Sequence, residues 1–151
     1  MATTRSQALQ RRSIFAAALL ATAAARAADT GLLLFEQLYK SVGVRGNQLS
    51  DHVVALNGKP VLMRGYMAPP LKPASSFFVL TREPVALCPF CQSDDDWPID
   101  IVVVYLRSTA QLTDAGEPVT VSGRLEVGSW TDPQTGFVSQ IRIVDASFRR
   151  G

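Results

Sequence analysis

Histidine and cysteine are scarce in this sequence, which contains one histidine, His52, and two cysteines, Cys88 and Cys91. A serine–histidine triad is not expected, because no glycine-flanked serine motif accompanies His52. A zinc site made of four thiolates within one chain is excluded, because only two thiols exist. A glycine-rich phosphate loop is also missing. These absences remove several enzyme classes, and we predict that the protein is not an enzyme.

Long apolar runs are absent as well. The longest, residues 14–25, has about 12 residues, whereas crossing a bilayer takes about 20, so no transmembrane anchor is expected. Arg11 and Arg12 precede this alanine-rich run, and Ala25-Arg26-Ala27 follows it with small residues at both positions that a signal peptidase reads. Adjacent arginines before a weakly apolar run are typical of twin-arginine export signals. We predict a signal peptide over residues 1–27, cleavage near Ala27, and a periplasmic mature protein.

Basic residues are few once this signal is removed. Residues 1–27 hold four arginines and no acid, so the mature chain would carry 11 basic and 13 acidic residues. Its only basic cluster along the sequence is Arg149-Arg150. A chain of this charge is poorly suited to phosphate backbones, and we predict no nucleic-acid partner.

Alternation of apolar and polar residues dominates the rest of the chain and predicts strands. Asn57-Gly58 favours a two-residue hairpin turn between the first two of them. Before these strands, residues 31–40 carry apolar side chains at helical spacing and predict a short N-terminal helix. The predicted strands cover residues 51–56, 59–67, 77–81, 101–106, 119–127 and 137–144.

Six short strands in about 100 residues predict a mainly β fold, a small five- to six-stranded antiparallel OB-like barrel. We place this barrel at 51–151, preceded by a helix and linker at 28–50. Gly65 and Gly123 lie inside predicted strands, where glycine marks a bend, and we interpret them as barrel corners. Residues 101–106 are apolar on both faces, which predicts a central strand.

A family resemblance rests on four segments and covers about residues 50–148. In their order they resemble a bacterial family of small exported OB-fold-like proteins of unknown function, some of them encoded near ABC-transporter genes. The resemblance implies an exported binding or accessory domain whose partner is an ABC-transporter component or another envelope protein. It implies no reaction. The segments are Gly65-Tyr66-Met67-Ala68-Pro69, Phe77-Phe78-Val79-Leu80, Cys88-Pro89-Phe90-Cys91 and Ile101-Val102-Val103-Val104.

The Cys88-Pro89-Phe90-Cys91 motif leaves three interpretations open. Its two thiolates can hold a soft or borderline metal such as zinc or copper, with Asp94 and His52 as the further candidate ligands. Alternatively, they form a disulfide that locks a loop in an oxidising compartment. The third alternative is thiol–disulfide exchange, which the acidic run Asp94-Asp95-Asp96 disfavours because it would raise a thiol pKa.

We therefore expect an exported binding or accessory protein that handles a metal through Cys88 and Cys91. The alternatives are a periplasmic thiol–disulfide oxidoreductase that uses the same pair and a structural partner domain with a loop disulfide. Trp97 and Trp130 are expected in loops, where capping the end of the barrel is favoured over stacking on a ligand.

Overall fold

The computed structural model describes residues 31–43, 46–69, 74–85, 98–112, 114 and 116–151, with only the backbone described at 74 and 75. The predicted mainly β class is confirmed. In chain order the elements are β1 (Leu32–Leu33), a 3₁₀ helix (Phe35–Gln37), β2 (Tyr39–Ser41), β3 (Gln48–Leu49), α1 (Asp51–Ala55), β4 (Pro60–Met67), β5 (Ala74–Thr81), β6 (Ile101–Gln111), β7 (Pro118–Thr131) and β8 (Val138–Arg150).

Six of the strands form one sheet in the order β1-β4-β5-β6-β8-β7, and β4 pairs in addition with β7. Strands β2 and β3 form a separate two-stranded ribbon. The antiparallel prediction holds for most neighbours, but β1–β4 and β6–β8 are parallel. The finer prediction, an OB-like barrel, stays a prediction.

Strand β4 shares its length among three neighbours. It pairs with β7 from Pro60↔Arg124 to Tyr66↔Pro118. Its pairing with β5 covers only Tyr66 and Met67. Strand β1 lies along the other edge of β4, with Leu32 opposite Leu62. The N-terminal segment therefore covers an edge of β4 that β5 leaves unpaired.

The predicted helix over residues 31–40 is wrong. This segment forms β1, the three-residue 3₁₀ helix and β2. The apolar side chains with helical spacing are buried, because Leu33 is 1% exposed and Leu38 is fully buried in the core. Pairing β1 with β4 satisfies backbone groups that a short isolated helix would have to satisfy alone, and short helices are marginal in water.

The predicted strand over 51–56 and its hairpin are also wrong. Residues Asp51–Ala55 form α1, which begins after Ser50, whose Oγ accepts a hydrogen bond from the Val53 backbone N–H at 3.1 Å. A serine at this position stabilises a helix start by about 1 kcal/mol. Gly58 does adopt a positive φ of 78°, as the Asn57-Gly58 pair favours, but it joins the helix to β4.

The core lies under strands β4 to β8 and is closed by the N-terminal segment. Its fully buried members come from every long strand and from α1. Ile101 and Val79 pack with Ala68 in a second, smaller cluster, so β6 is buried on both faces at its start, as predicted. The largest fully buried side chains include Leu33, Leu38, Val53, Val61, Met63, Met67, Val79, Leu80, Val102, Leu125, Ile141 and Ile143.

A β-bulge interrupts the pairing of β7 with β8 at Gly123. Ser122 lies opposite Ser147 and Arg124 opposite Val144, so β8 has one residue more than β7 between these pairs. Asp145 in this interval has a φ of 50°, which is uncommon for a residue other than glycine. The extra residue reverses the alternation of β8. Consequently Arg142 before the bulge and Arg149 after it lie on the same, outward side of the strand.

Candidate functional site

The predicted metal site lies for the most part outside the described residues. Cys88, Cys91 and Asp94 belong to the undescribed segment, as do Arg11 and Arg12 of the predicted export signal. His52 is described and is an exposed residue of α1. Within the part of the chain that the structure describes, no group of three or more His, Cys, Asp or Glu residues could hold a metal ion. The metal, disulfide and redox interpretations therefore stay predictions.

The chain on either side of the cysteine segment is held together at its base. Thr81 pairs with Ile101 across β5 and β6, and the Arg82 backbone N–H donates to the Asp100 carbonyl at 3.0 Å. The side chains of Arg82 and Asp100 form an ion pair at 3.8 Å. The described residues on the two sides of the segment 86–97 are thus joined to each other through Arg82 and Asp100.

Three residues on adjacent strands form a row, which we call the arginine row: Arg64 on β4, Thr120 on β7 and Arg149 on β8. Thr120 pairs with Arg64 on one side and with Arg149 on the other. Residues directly opposite each other across paired strands place their side chains on the same face. The side chains of Arg64 and Arg149 therefore stand on one face of the sheet, with the side chain of Thr120 between them in the register.

The arginine row lines an open groove with a volume of about 700 Å³. Tyr66 and Pro118, a register pair next to the row, continue its wall, and Arg82 and Arg150 contribute two further cations. None of the described lining side chains is acidic, and Gly151, the last residue of the sequence, also lines the groove. The groove is thus a concave surface of positive charge on a chain whose predicted mature form has a net negative charge.

The arginines of this groove differ in their partners. Arg82 forms ion pairs with Glu36, Glu83 and Asp100 at 3.6 to 3.8 Å. Arg64, Arg149 and Arg150 form no ion pair with any described residue. Their positive charges are accordingly available to a ligand, whereas that of Arg82 is already balanced.

Thr120 lies between Arg64 and Arg149 at the floor of the groove. It is only 6% exposed, although its neighbours Arg64 and Arg149 are exposed. Its side chain makes no hydrogen bond to a described residue. A nearly buried hydroxyl can donate one hydrogen bond and accept two, so the floor of the groove has unused capacity for a polar ligand.

Two further arginines, Arg124 on β7 and Arg142 on β8, form ion pairs with Glu126 and Asp145. We call these four residues the arginine ladder. Arg124 pairs with Glu126 and, at 3.1 Å, with Asp145. Arg142 donates from Nε to Glu126 at 3.0 Å and from Nη1 to the Gly128 carbonyl at 2.9 Å. The hydrogen bonds of Glu126 and Asp145 raise the pKa of the Arg124 guanidinium. The ladder is internally balanced.

An aromatic cluster adjoins the ladder. Tyr105 stacks on Phe77 with ring centroids 5.7 Å apart and meets Trp130 edge-on at 5.3 Å, and the Arg142 guanidinium lies 5.1 Å from the Trp130 ring. Burial, followed by the nearby charge of Asp132, raises the pKa of the Tyr105 phenol above its usual value. The predicted loop position of Trp130 is wrong, because Trp130 lies within β7 and pairs with Ser139 of β8. Its contacts with Tyr105 and Arg142 give it a packing role in this cluster. Trp97 is outside the described residues.

The sequence contains only part of the signal for the arginine row. Alternation in β4 and β7 assigns Arg64 and Thr120 to outward faces. Arg149 was recognised only as a member of the Arg149-Arg150 pair, since the β8 bulge at Asp145 reverses its face and no sequence pattern marks that bulge. The cross-strand register that joins the three residues is a tertiary property.

Within the described residues, no helix has the length and apolar character needed to cross a membrane.

No protein-family model matches the sequence, and no curated protein matches it. Among solved structures, the chain is similar to a DUF3299 family protein from Pseudomonas aeruginosa PAO1, determined by crystallography at 2.45 Å. The TM-score is 0.51 at 16% sequence identity, and the match covers 80% of this chain and 95% of that one. At this identity the similarity shows a shared fold with a bacterial protein. The predicted exported, OB-fold-like family stays a prediction.

Proposed function

We propose that this chain is an exported, non-enzymatic binding or accessory protein that binds an anionic ligand in the groove of the arginine row. The observation that carries the proposal is the pair of arginines, Arg64 and Arg149, which form no ion pair with a described residue and line a groove whose described side chains include no acid. Clefts lined by one sign of charge concentrate ligands of the opposite sign.

The proposed architecture is an OB-like barrel made of β4 to β8. Its support is the pairing order, in which β4 joins β5, β5 joins β6, β6 joins β8, β8 joins β7 and β7 returns to β4. OB-folds are five-stranded, partly open barrels that serve mainly to bind ligands. The short β4–β5 pairing is compatible with a barrel that is open on that side.

The test of anion binding uses the full chain purified from the periplasm. Thermal unfolding is followed with a panel of sulfate, phosphate, succinate and citrate, because a ligand that binds only the folded state raises the melting temperature. We expect at least one anion to stabilise the protein saturably. The double variant Arg64→Gln with Arg149→Gln should lose this effect.

The matched control is Lys59→Gln, which also removes a positive charge but from an exposed residue that does not line the groove. We expect this variant to respond to anions as the wild type does. If no anion in the panel stabilises the wild type, or if Lys59→Gln abolishes the response as well, the groove is not a specific anion site.

The cysteine pair supports a second candidate function, the handling of zinc or copper through Cys88 and Cys91. The support is the paired base formed by Arg82 and Asp100, which joins the two ends of the segment that carries the pair. We expect stoichiometric uptake of zinc by the reduced protein, lost in Cys88→Ser or Cys91→Ser and weakened less in Asp94→Ala. Metal uptake that persists in both serine variants would exclude this site.

Two alternatives for the same cysteines have their own outcomes. Catalytic reduction of a model disulfide, with one thiol pKa below about 7, would favour a thiol–disulfide oxidoreductase. A stable disulfide without exchange activity or metal uptake would favour a structural partner domain.

Export through the twin-arginine route, and a partner in an ABC-transporter component or another envelope protein, complete the proposal. Replacing Arg11 and Arg12 with lysine should leave uncleaved precursor in the cytoplasm, where cell fractionation would detect it. Normal maturation in a strain without the twin-arginine exporter would contradict the route.

A further inference from the structure

We infer that the ligand of the arginine row is a phosphomonoester, with its terminal phosphate on Arg64, Thr120 and Arg149. The inference rests on the proposed anion-binding function and adds the chemical class of the ligand. It depends on the geometry of the row, on its charge and on the shape of the groove next to it.

The geometry of the row favours a tetrahedral anion over a planar one. Neighbouring residues on paired strands have Cβ atoms about 5 Å apart, so Arg64 and Arg149 are separated by about 10 Å with Thr120 between them. A carboxylate presents both oxygens along one edge, which matches a single guanidinium fork. A phosphate directs its oxygens away from one another, so it can accept hydrogen bonds from two guanidinium groups on opposite sides.

Thr120 completes this set from below. Its side chain stands between those of Arg64 and Arg149 in the register, its hydroxyl makes no hydrogen bond to a described residue, and the residue is 6% exposed. A third phosphate oxygen can accept the hydroxyl proton while the other two face the arginines. The row thereby offers donors in three directions.

The charge of the row matches a dianion. Arg64 and Arg149 together provide two positive charges without a described side-chain carboxylate as partner, and none of the described side chains that line the groove is acidic. A phosphomonoester carries a charge of about −1.5 to −2 at neutral pH. One such group would therefore neutralise both arginines, whereas one carboxylate would leave a charge unbalanced.

The groove is larger than a phosphate ion, which indicates an organic group attached to it. Its volume of about 700 Å³ lies in the range of small-molecule sites. Tyr66 and Pro118 form the register pair beside the row, on the same face. They give the organic part of the ligand an aromatic ring and a proline ring to pack against.

The test compares phenyl phosphate, glycerol 3-phosphate, inorganic phosphate, sulfate and succinate by isothermal titration calorimetry on the full periplasmic chain. We expect phenyl phosphate to bind most tightly, because it adds ring packing to the phosphate contacts. Glycerol 3-phosphate and inorganic phosphate should follow, and succinate should bind at least about tenfold more weakly than inorganic phosphate. A preference for glycerol 3-phosphate would indicate a sugar or lipid headgroup as the source.

Four variants distinguish the contributions. The double variant Arg64→Gln with Arg149→Gln should bind phenyl phosphate about 100-fold more weakly or worse. Thr120→Val should bind both phenyl phosphate and inorganic phosphate about fivefold more weakly. Tyr66→Ala should weaken the binding of phenyl phosphate but leave the affinity for inorganic phosphate unchanged. Lys59→Gln should change neither, which controls for the loss of one positive charge. Circular dichroism of each variant checks that the sheet is intact.

The possible outcomes test the phosphomonoester assignment separately from the proposed anion-binding function. If succinate binds as tightly as phosphate and both depend on Arg64 and Arg149, the anion site stands and the phosphomonoester assignment is wrong. If inorganic phosphate binds as tightly as phenyl phosphate, the inferred packing of an organic group against Tyr66 and Pro118 is wrong. If no anion binds, both the inference and the proposed function are wrong.

Discussion

Strand β8 carries two arginines on the same outward side, and their surroundings are opposite in character. Arg142, before the bulge, lies opposite Glu126, and its side chain is only 11% exposed. Arg149, after the bulge, lies opposite Thr120 and is exposed without a described ion-pair partner. The arginine ladder is therefore a structural feature whose donors bind the protein itself. The arginine row has the same chemistry, but its arginines have no described ion-pair partner, and we propose that they bind a ligand.

The difference teaches where binding capacity is retained in a small β protein. Two like charges about 10 Å apart at the surface repel by only about 0.4 kcal/mol in water. The unpaired charges of the arginine row therefore destabilise the folded protein very little in the absence of a ligand. Removing the carboxylate from a partly buried arginine is much more costly, because a desolvated charge then loses its partner. Charge pairing is consequently concentrated where Arg142 is covered.

Gly123 offers the largest expected effect, because it lies at the bulge that separates the ladder from the row. A Cβ added there would lie 2.5 Å from Ile143 Cγ2 and 2.7 Å from the Val144 carbonyl oxygen, so Gly123→Ala must displace β8. We expect it to lower the free energy of unfolding by about 3 kcal/mol, as overpacking does. Urea denaturation measures this, with Gly43→Ala as control, since a Cβ there meets nothing within 4 Å. Equal stability of the two variants would show that the backbone at the bulge accommodates a Cβ at residue 123 without a loss of stability.

Arg142→Ala compared with Arg64→Ala tests the contrast directly. The first removes the hydrogen bonds to Glu126 and Gly128 and the contact with Trp130, and should lower the free energy of unfolding by about 2 kcal/mol. The second removes an exposed side chain with no ion pair to a described residue and should change it by less than about 0.5 kcal/mol. Urea denaturation at fixed salt measures both. A similar loss in both variants would mean that the row is structural.

The smallest effect concerns pH and the aromatic cluster beside the ladder. Burial and the charge of Asp132 raise the pKa of the Tyr105 phenol in the folded state. The unfolded chain therefore releases this proton at lower pH, from about 10 upward, while the folded protein keeps it. Stability from Tyr105 is complete below pH 10 and falls as the pH rises above it. Tyr105→Phe should flatten this decline between pH 9 and 11 in urea titrations. An identical decline in the variant would show that Tyr105 is not responsible.

Strand prediction succeeded where alternation is reinforced by burial. β4 begins one residue after the start of the predicted strand 59–67, and the predicted strand 119–127 lies within β7. In both strands, buried residues such as Val61, Met63 and Leu125 alternate with exposed or half-buried ones. It failed at 31–40 and 51–56, where apolar spacing was read without tertiary contacts. Leu33 is buried by pairing with β4, and Val53 is buried in a helix that Ser50 begins. Short segments such as these have weak intrinsic preferences, so the contacts made by the rest of the chain decide them.

What the sequence determined by itself is the mainly β class, the approximate position of the long strands and the burial of both faces of β6 at its start. Each follows from local periodicity, which a strand expresses wherever it is placed. Only the tertiary structure decided which arginines form ion pairs with described residues and which do not. That choice depends on register across β4, β7 and β8 and on one extra residue at the Asp145 bulge. A shift of one residue turns every following side chain to the other face, and local sequence preference does not encode such a shift.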